Sequence, residues 1–268
     1  MKDLEKVKNG REMNVFMHDR PFPYYDLGQV VSRINFEEIH TTVLKKLSAV
    51  LGYELERVEV IEGTRDELKD NKGMYISAER SKDGIERILL SPRYIKPGSK
   101  SEDTAASYYN EFIYDHGHSN LPEVSSDPFL RIYNLIEDIL SHEYSHKVYG
   151  DRFKQEILSS PEAREREFSY EGYSATFNEG FARWLSSVSL GHEHPGEIDD
   201  LERFSAEHIV EQGGVSAYRD RGGIVNVYKL LKKLSDENGH RQVLDNLQQI
   251  ALDHFQALSK KYELNYFL

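Results

Sequence analysis

The hydrophobic pattern of the chain changes in character near residue 128, and this change indicates the fold class. Before it lie three short segments rich in strand-forming residues, at positions 57–62, 74–79 and 87–91. After it, apolar residues recur at helical spacing almost to the C-terminus. Strands followed by helices predict an α+β fold, with a small mixed or antiparallel N-terminal sheet and then a mainly helical half.

One helix is expected before the strands. Asn35 can cap it, Glu38 stands three residues later as a capping-box partner, and Gly52 can end it. Turn residues between the second and third strand segments predict a hairpin. We expect an N-terminal lobe of helix and sheet at residues 1–127 and a helical lobe at residues 128–268, together forming one compact unit.

Glycines mark the expected ends of the later helices. Gly150 and Gly191 each follow a run of helical spacing, and Gly239 separates two C-terminal helices predicted near residues 224–234 and 241–258.

Composition excludes several kinds of function. The formal net charge is −12, which repels phosphate backbones and anionic lipids, so neither nucleic acid nor a membrane is an expected partner. The chain has no cysteine, which excludes disulfides, thiolate metal ligands and cysteine nucleophiles. It shows neither a signal-peptide core nor an apolar run of about 18 residues, so the expected location is the cytoplasm. The oligomeric state is left open.

Residues 142–146 read His-Glu-Tyr-Ser-His. On a helix, His142 and His146 lie one above the other and can bind the same ion. Glu143 is turned by about 100° from His142, so it is placed to act on a water bound to the metal. The alternative interpretation is a helix that carries two histidines on its polar face.

A third protein ligand is required, because catalytic zinc usually takes three protein groups and a water. A metzincin would place glycine at position 149 and histidine at position 152. This chain has Tyr149 and Arg152 there, so the metzincin pattern is not met. Glu179 is the favoured candidate, since the small residues Gly180 and Ala182 beside it would let its helix approach the metal helix closely. A salt bridge from Glu179 to Arg183 is the alternative. The competing carboxylates in a highly charged stretch are Glu162, Glu165, Glu167 and Glu171.

His142-Glu143-x-x-His146 followed by Asn178-Glu179-Gly-x-Ala resembles the gluzincin clan of zinc metallopeptidases, over roughly residues 55 to 235. The resemblance implies a zincin-like catalytic domain in which His142, His146 and Glu179 bind Zn²⁺ and Glu143 is the general base. Lys147 departs from the usual uncharged flank of the motif. The Gly-x-Met-Glu-Asn sequence of the aminopeptidase branch is missing, so an endopeptidase is favoured over an aminopeptidase.

The predicted function is therefore zinc-dependent hydrolysis of peptide bonds in a peptide or protein substrate. Zinc lowers the pKa of its bound water towards about 7, and Glu143 takes the proton. Tyr218 is the candidate donor to the oxyanion, because it resembles a tyrosine-then-glycine element of the aminopeptidase branch; a packing tyrosine is the alternative. A strand edge at residues 88–92 would align an extended peptide.

Other groups and other functions stay open. Asn178 and Arg183 can support the ligands from behind. Two His-x-His pairs, His116 with His118 and His192 with His194, are interpreted as polar surface, although either could bind a second ion. The alternative functions are a non-catalytic metal-binding regulatory or interaction protein, a structural helical protein with a chance motif, and a hydrolase of non-peptide bonds.

Overall fold

The computed structural model describes residues 16–17, 20–21, 34–68, 72–91, 128–154, 167–191 and 223–261. Its first elements are five short strands and two helices: β1 (Phe16–Met17), β2 (Arg20–Pro21), α1 (Phe36–Leu51), β3 (Glu59–Glu62), α2 (Arg65–Leu68), β4 (Gly73–Ile76) and β5 (Arg87–Leu90). The rest is helical: α3 (Pro128–Tyr149), a π-helical turn (Gly150–Lys154), α4 (Glu167–Leu190), α5 (Gly223–Asn238), α6 (His240–Asp245) and α7 (Leu247–Lys261). This order confirms the predicted α+β class.

The three predicted strands form one mixed sheet in the order β3-β5-β4. The Gly63 amide donates to the Leu90 carbonyl, so β3 and β5 end side by side and are parallel. The Ser91 amide donates to the Lys72 carbonyl, which makes β5 and β4 antiparallel and confirms the predicted hairpin. The expectation that residues 88–92 form a sheet edge is wrong, because β5 is the central strand and Ile88, Leu89 and Leu90 are all buried.

Both ends of α1 follow the predicted capping. The Asn35 side-chain oxygen accepts the Glu38 amide at 3.4 Å, and the Gly52 amide donates to the Ser48 carbonyl at 2.8 Å. Gly52 has φ +72°, a conformation that costs glycine little. Between these ends, one face of α1 is fully buried, as its apolar spacing predicts.

The later helix ends are partly as predicted. Gly191 and Gly239 follow α4 and α5 with positive φ, as expected. The α-helix α3 does end before Gly150, but the chain winds on through the π-helical turn, which buries Phe153. The last predicted helix is interrupted at Asn246, whose side-chain amide donates to the Gln242 carbonyl at 2.8 Å and competes with the helical pattern.

Contacts divide the chain into two compact units, each assembled from separate segments. The first comprises Met1–Thr42, Val60–Met74 and Leu89–Ile139, and the second comprises Val43–Glu59, Tyr75–Ile88 and Leu140–Leu268. All side chains of the site described below belong to the second unit. The boundary proposed from the sequence between residues 127 and 128 stays a prediction. Among the helices of the described ranges, none combines the length and hydropathy needed to cross a membrane.

Candidate metal centre

The histidines of the motif lie on a helix that is anchored by its apolar side. Leu140, Tyr144 and Val148 recur every four residues on α3 and are almost completely buried. Tyr144 is also tied by its hydroxyl oxygen, which accepts the Val58 amide at 3.2 Å. With this stripe buried, His142 and His146 project together from another side of the helix and keep partial access to solvent, at 21% and 12% of their side-chain surface.

The structure brings all three predicted metal ligands together. His142 Nε2 and His146 Nε2 are 3.1 Å apart, and each lies 3.5 Å from an oxygen of Glu179. Ligands in tetrahedral zinc sites, with bonds of about 2.0–2.1 Å, are separated from one another by about 3.3 Å. The observed spacings are therefore those of a donor set that fits one small divalent ion.

Asn178 prepares His146 for this role. Its side-chain oxygen lies 3.0 Å from His146 Nδ1, so Nδ1–H donates to the amide oxygen. If Nε2 gave up its proton to bind an ion, the proton left on Nδ1 would be held by this bond, and the Nε2 lone pair would lie on the side of Glu179. Asn178 therefore contacts one of the predicted ligands, and such partners orient histidines that bind metals.

The carboxyl group of Glu179 is held in its ionised form. Burial by itself raises the pKa of its carboxyl group. The hydrogen bond from His142 and the charges of His146, His142 and Arg183 outweigh burial and lower the pKa to about 2. Arg183 thus supports the carboxylate electrostatically.

Of the competing glutamates, Glu162 and Glu165 lie outside the described residues, as do the side chains of Glu167 and Glu171.

Gly180 serves a different contact from the one expected. A Cβ atom added there would lie 2.5 Å from Val227 Cβ and 2.9 Å from the Ile224 carbonyl oxygen, both on α5. The prediction that Gly180 lets α4 approach the metal helix is therefore corrected. The glycine allows α4 and α5 to pack closely, and this packing supports the segment that carries Glu179.

Glu143 is buried beside the ligands, with 7% of its surface exposed. Its Oε2 accepts the backbone N–H of Tyr75, in β4, at 2.8 Å. Burial raises the pKa of Glu143 to about 7, with Glu179 adding to the rise and His146 and the Tyr75 amide opposing it. A carboxyl group with a pKa near 7 suits general acid–base chemistry. Tyr75 was not predicted as a site residue, and the strand predicted at residues 74–79 was the available signal.

Lys147, the charged departure from the motif, is accommodated by ion pairs. Only 5% of its side chain is exposed, and its Nζ donates to Glu86 Oε2 at 2.5 Å and to Asp151 Oδ2 at 2.7 Å. Burial on its own would lower the pKa of Lys147, but these two carboxylates raise it overall, so the ammonium stays charged. No local pattern in the sequence pointed to Glu86.

Several predicted residues lie outside the described part of the chain. These are Tyr218 and the paired histidines His116, His118, His192 and His194.

Comparison of the chain with protein-family models, with curated proteins and with solved structures finds no match. The resemblance to the gluzincin clan therefore depends on the motif residues themselves.

Proposed function

We propose that this protein is a zinc-dependent peptidase of the gluzincin type with a zincin-like catalytic domain. The observation that carries the proposal is the convergence of His142, His146 and Glu179 at 3.1 to 3.5 Å, with a buried carboxylic acid, Glu143, next to the first ligand. Two imidazoles and one carboxylate form a recurrent donor set of catalytic zinc.

The remaining chemistry is assigned to residues of this chain. Zinc in such a site supplies Lewis-acid activation of water and of the substrate carbonyl. Glu143 takes a proton from the attacking water and returns it to the leaving amine, for which a pKa near 7 is suitable. Asn178 holds His146 in the required tautomer. Tyr218 stays the proposed oxyanion donor.

The substrate class follows from the same proposal. A peptide or protein chain is the proposed substrate, and cleavage within the chain is favoured because no Gly-x-Met-Glu-Asn anchor for a free amine is present in the sequence. The cysteine-free, acidic composition keeps a cytoplasmic location as part of the proposal.

Metal content is the first test. Wild-type protein and the Glu179→Ala variant are purified in parallel and their zinc is measured by mass spectrometry. Glu237→Ala, which removes an exposed carboxylate from α5, is the matched control. We expect about one zinc per chain in wild type and control, and loss of most of it in Glu179→Ala. If the folded wild-type chain takes up no added zinc, the motif is a chance match and the proposed metal site is refuted.

Catalysis is tested separately with Glu143→Gln. This variant keeps the shape of the side chain, so zinc should remain, while peptide hydrolysis should fall by about 10² to 10⁴-fold. Full zinc occupancy in a wild-type protein that cleaves neither peptides nor esters would favour the alternative, a non-catalytic metal-binding regulatory or interaction protein. Cleavage of esters alone would point to a non-peptide hydrolase.

A further inference from the structure

The hairpin of β4 and β5 contacts the metal helix through Tyr75, which bonds in two directions. Its backbone N–H donates to Glu143 Oε2 at 2.8 Å, and its hydroxyl group donates to Glu86 Oε1 at 3.1 Å. Tyr75 in β4 is thus linked both to the proposed base and to Glu86, the residue immediately before β5.

Lys147 closes these contacts into a ring. The second oxygen of Glu86 accepts from Lys147 Nζ, and Lys147 stands four residues after Glu143, on the same face of α3. Starting from Glu143, the ring runs through Tyr75, then Glu86, then Lys147, and returns along one turn of helix. Glu143 therefore has one oxygen held by the Tyr75 amide while its second oxygen is left for chemistry.

The bond between Lys147 and Glu86 is the strongest tie between the hairpin and α3 in this ring. It is charge-assisted, and the lysine is almost fully buried. A second ion pair, from Lys154 to Glu79, also joins the hairpin to the π-helical turn, but it is longer, at 3.7 Å, and both partners are exposed by more than a third. Exposed pairs of this kind contribute little to stability.

We infer that Lys147, paired with Glu86, is a positioning residue that keeps the Tyr75 amide on Glu143 and so fixes the proposed base in one orientation. This inference rests on the proposed peptidase function for its catalytic consequence. When the pair is broken, the hairpin loses its buried ion pair with α3, and Glu143 gains rotational freedom. The three metal ligands are not members of the ring, so metal binding is retained.

Lys147→Met is the main test. Methionine fills the space of the buried stem, and the carboxylates of Glu86 and Asp151 keep 28% and 46% of their surface in water, so neither is left as a buried unpaired charge. Glu86→Gln removes the negative charge from the hairpin side of the same pair, and it provides the test if Lys147→Met does not fold. Lys154→Met, which breaks the exposed pair, is the matched control.

The kinetic constants, the zinc content and the exchange of one amide are measured on the zinc-loaded full chain. Because a base held about 1 Å out of place can cost up to about 100-fold, kcat should fall at least about tenfold in Lys147→Met and Glu86→Gln. In both variants KM and zinc content should stay within about twofold of wild type. Hydrogen exchange of the Tyr75 amide, followed by NMR, should accelerate about tenfold in the same two variants and in Glu143→Ala. Lys154→Met should match wild type in every respect.

The outcomes separate the two proposals. Folded, zinc-loaded Lys147→Met and Glu86→Gln with wild-type kcat, or with unchanged protection of the Tyr75 amide, would overturn the positioning role. A parallel loss of kcat and zinc would also overturn it, because the pair would then serve the metal site as a whole. If wild-type protein binds zinc but cleaves no peptide, the peptidase proposal fails, and the Tyr75 amide still decides whether Lys147 holds the ring together.

Discussion

Replacing Gly180 by alanine tests how closely α4 and α5 must pack to support the metal centre. The new methyl group would lie 2.5 Å from Val227 Cβ and 2.9 Å from the Ile224 carbonyl oxygen. Carbon atoms in favourable contact are about 3.5 to 4.0 Å apart, so the two helices must separate by roughly 1 Å. Overpacking of this kind costs about 1–3 kcal/mol, and two crowded neighbours place Gly180→Ala at the upper end.

Alanine also favours the helix over glycine by about 1 kcal/mol, which offsets part of this cost. The net loss in the free energy of unfolding should be about 2 kcal/mol, or a fall in Tm of about 4–8 °C for a domain of this size. Because Glu179 precedes the shifted residue, zinc affinity should fall together with stability.

Thermal and urea unfolding of the zinc-free protein measure the first effect, and competition with a chelator measures the second. Gly150→Ala is the matched control, since an added Cβ at Gly150 meets no atom within 4 Å. It should leave stability unchanged or raise it by up to about 1 kcal/mol. A Gly180→Ala protein as stable as Gly150→Ala would refute the close packing of α4 against α5.

Three further predictions concern Asn178, Gly52 and His254. Asn178→Ala should weaken zinc binding by about 10–100-fold in chelator competition, because His146 loses the acceptor that sets its tautomer, whereas Asn178→Asp should keep most of the affinity. Gly52→Ala should lower the free energy of unfolding in urea by about 1–2 kcal/mol, since alanine is strained at φ +72° and its Cβ would displace the Arg241 guanidinium from the Leu51 carbonyl; an unchanged midpoint would contradict this. Burial lowers the pKa of His254 to about 4, so the unfolded chain binds the extra proton first, and stability should fall as pH drops from about 6.5 to 4, by at most about 3 kcal/mol. This pH dependence should be weaker in His254→Gln, and an identical profile in the two proteins would exclude His254 as its source.

Glu179 lies close to both histidines in the structure, as the sequence predicted, although one of the reasons for that prediction was wrong. The neighbouring small residue Gly180 faces α5 and not the metal helix. The position of Glu179 on α4 nevertheless allows its carboxylate to reach both histidines, because its side chain leaves the helix on a different side from the glycine contact. The sequence pattern was enough to select Glu179 as a candidate ligand. It could not predict that α5 is the helix that packs against Gly180.

Features that depend on neighbours along the chain were determined by the sequence itself. The helix cap at Asn35, the stop at Gly52 and the pairing of His142 with His146 all follow from backbone geometry over three or four residues. Such relations hold wherever the segment is helical, so they can be predicted without knowing the fold.

The surroundings of the motif depend on contacts between segments that are far apart in the chain. The Tyr75 amide reaches Glu143 across 68 positions of sequence, and Lys147 meets Glu86 across 61. These partners are chosen by the order of strands in the sheet and by the docking of the hairpin on α3, which no local pattern encodes. Burial then raises the pKa of Glu143 to about 7, while two carboxylates keep buried Lys147 charged. The residue types of the site were therefore readable in the sequence, but their electrostatic state arose from the packing of distant segments.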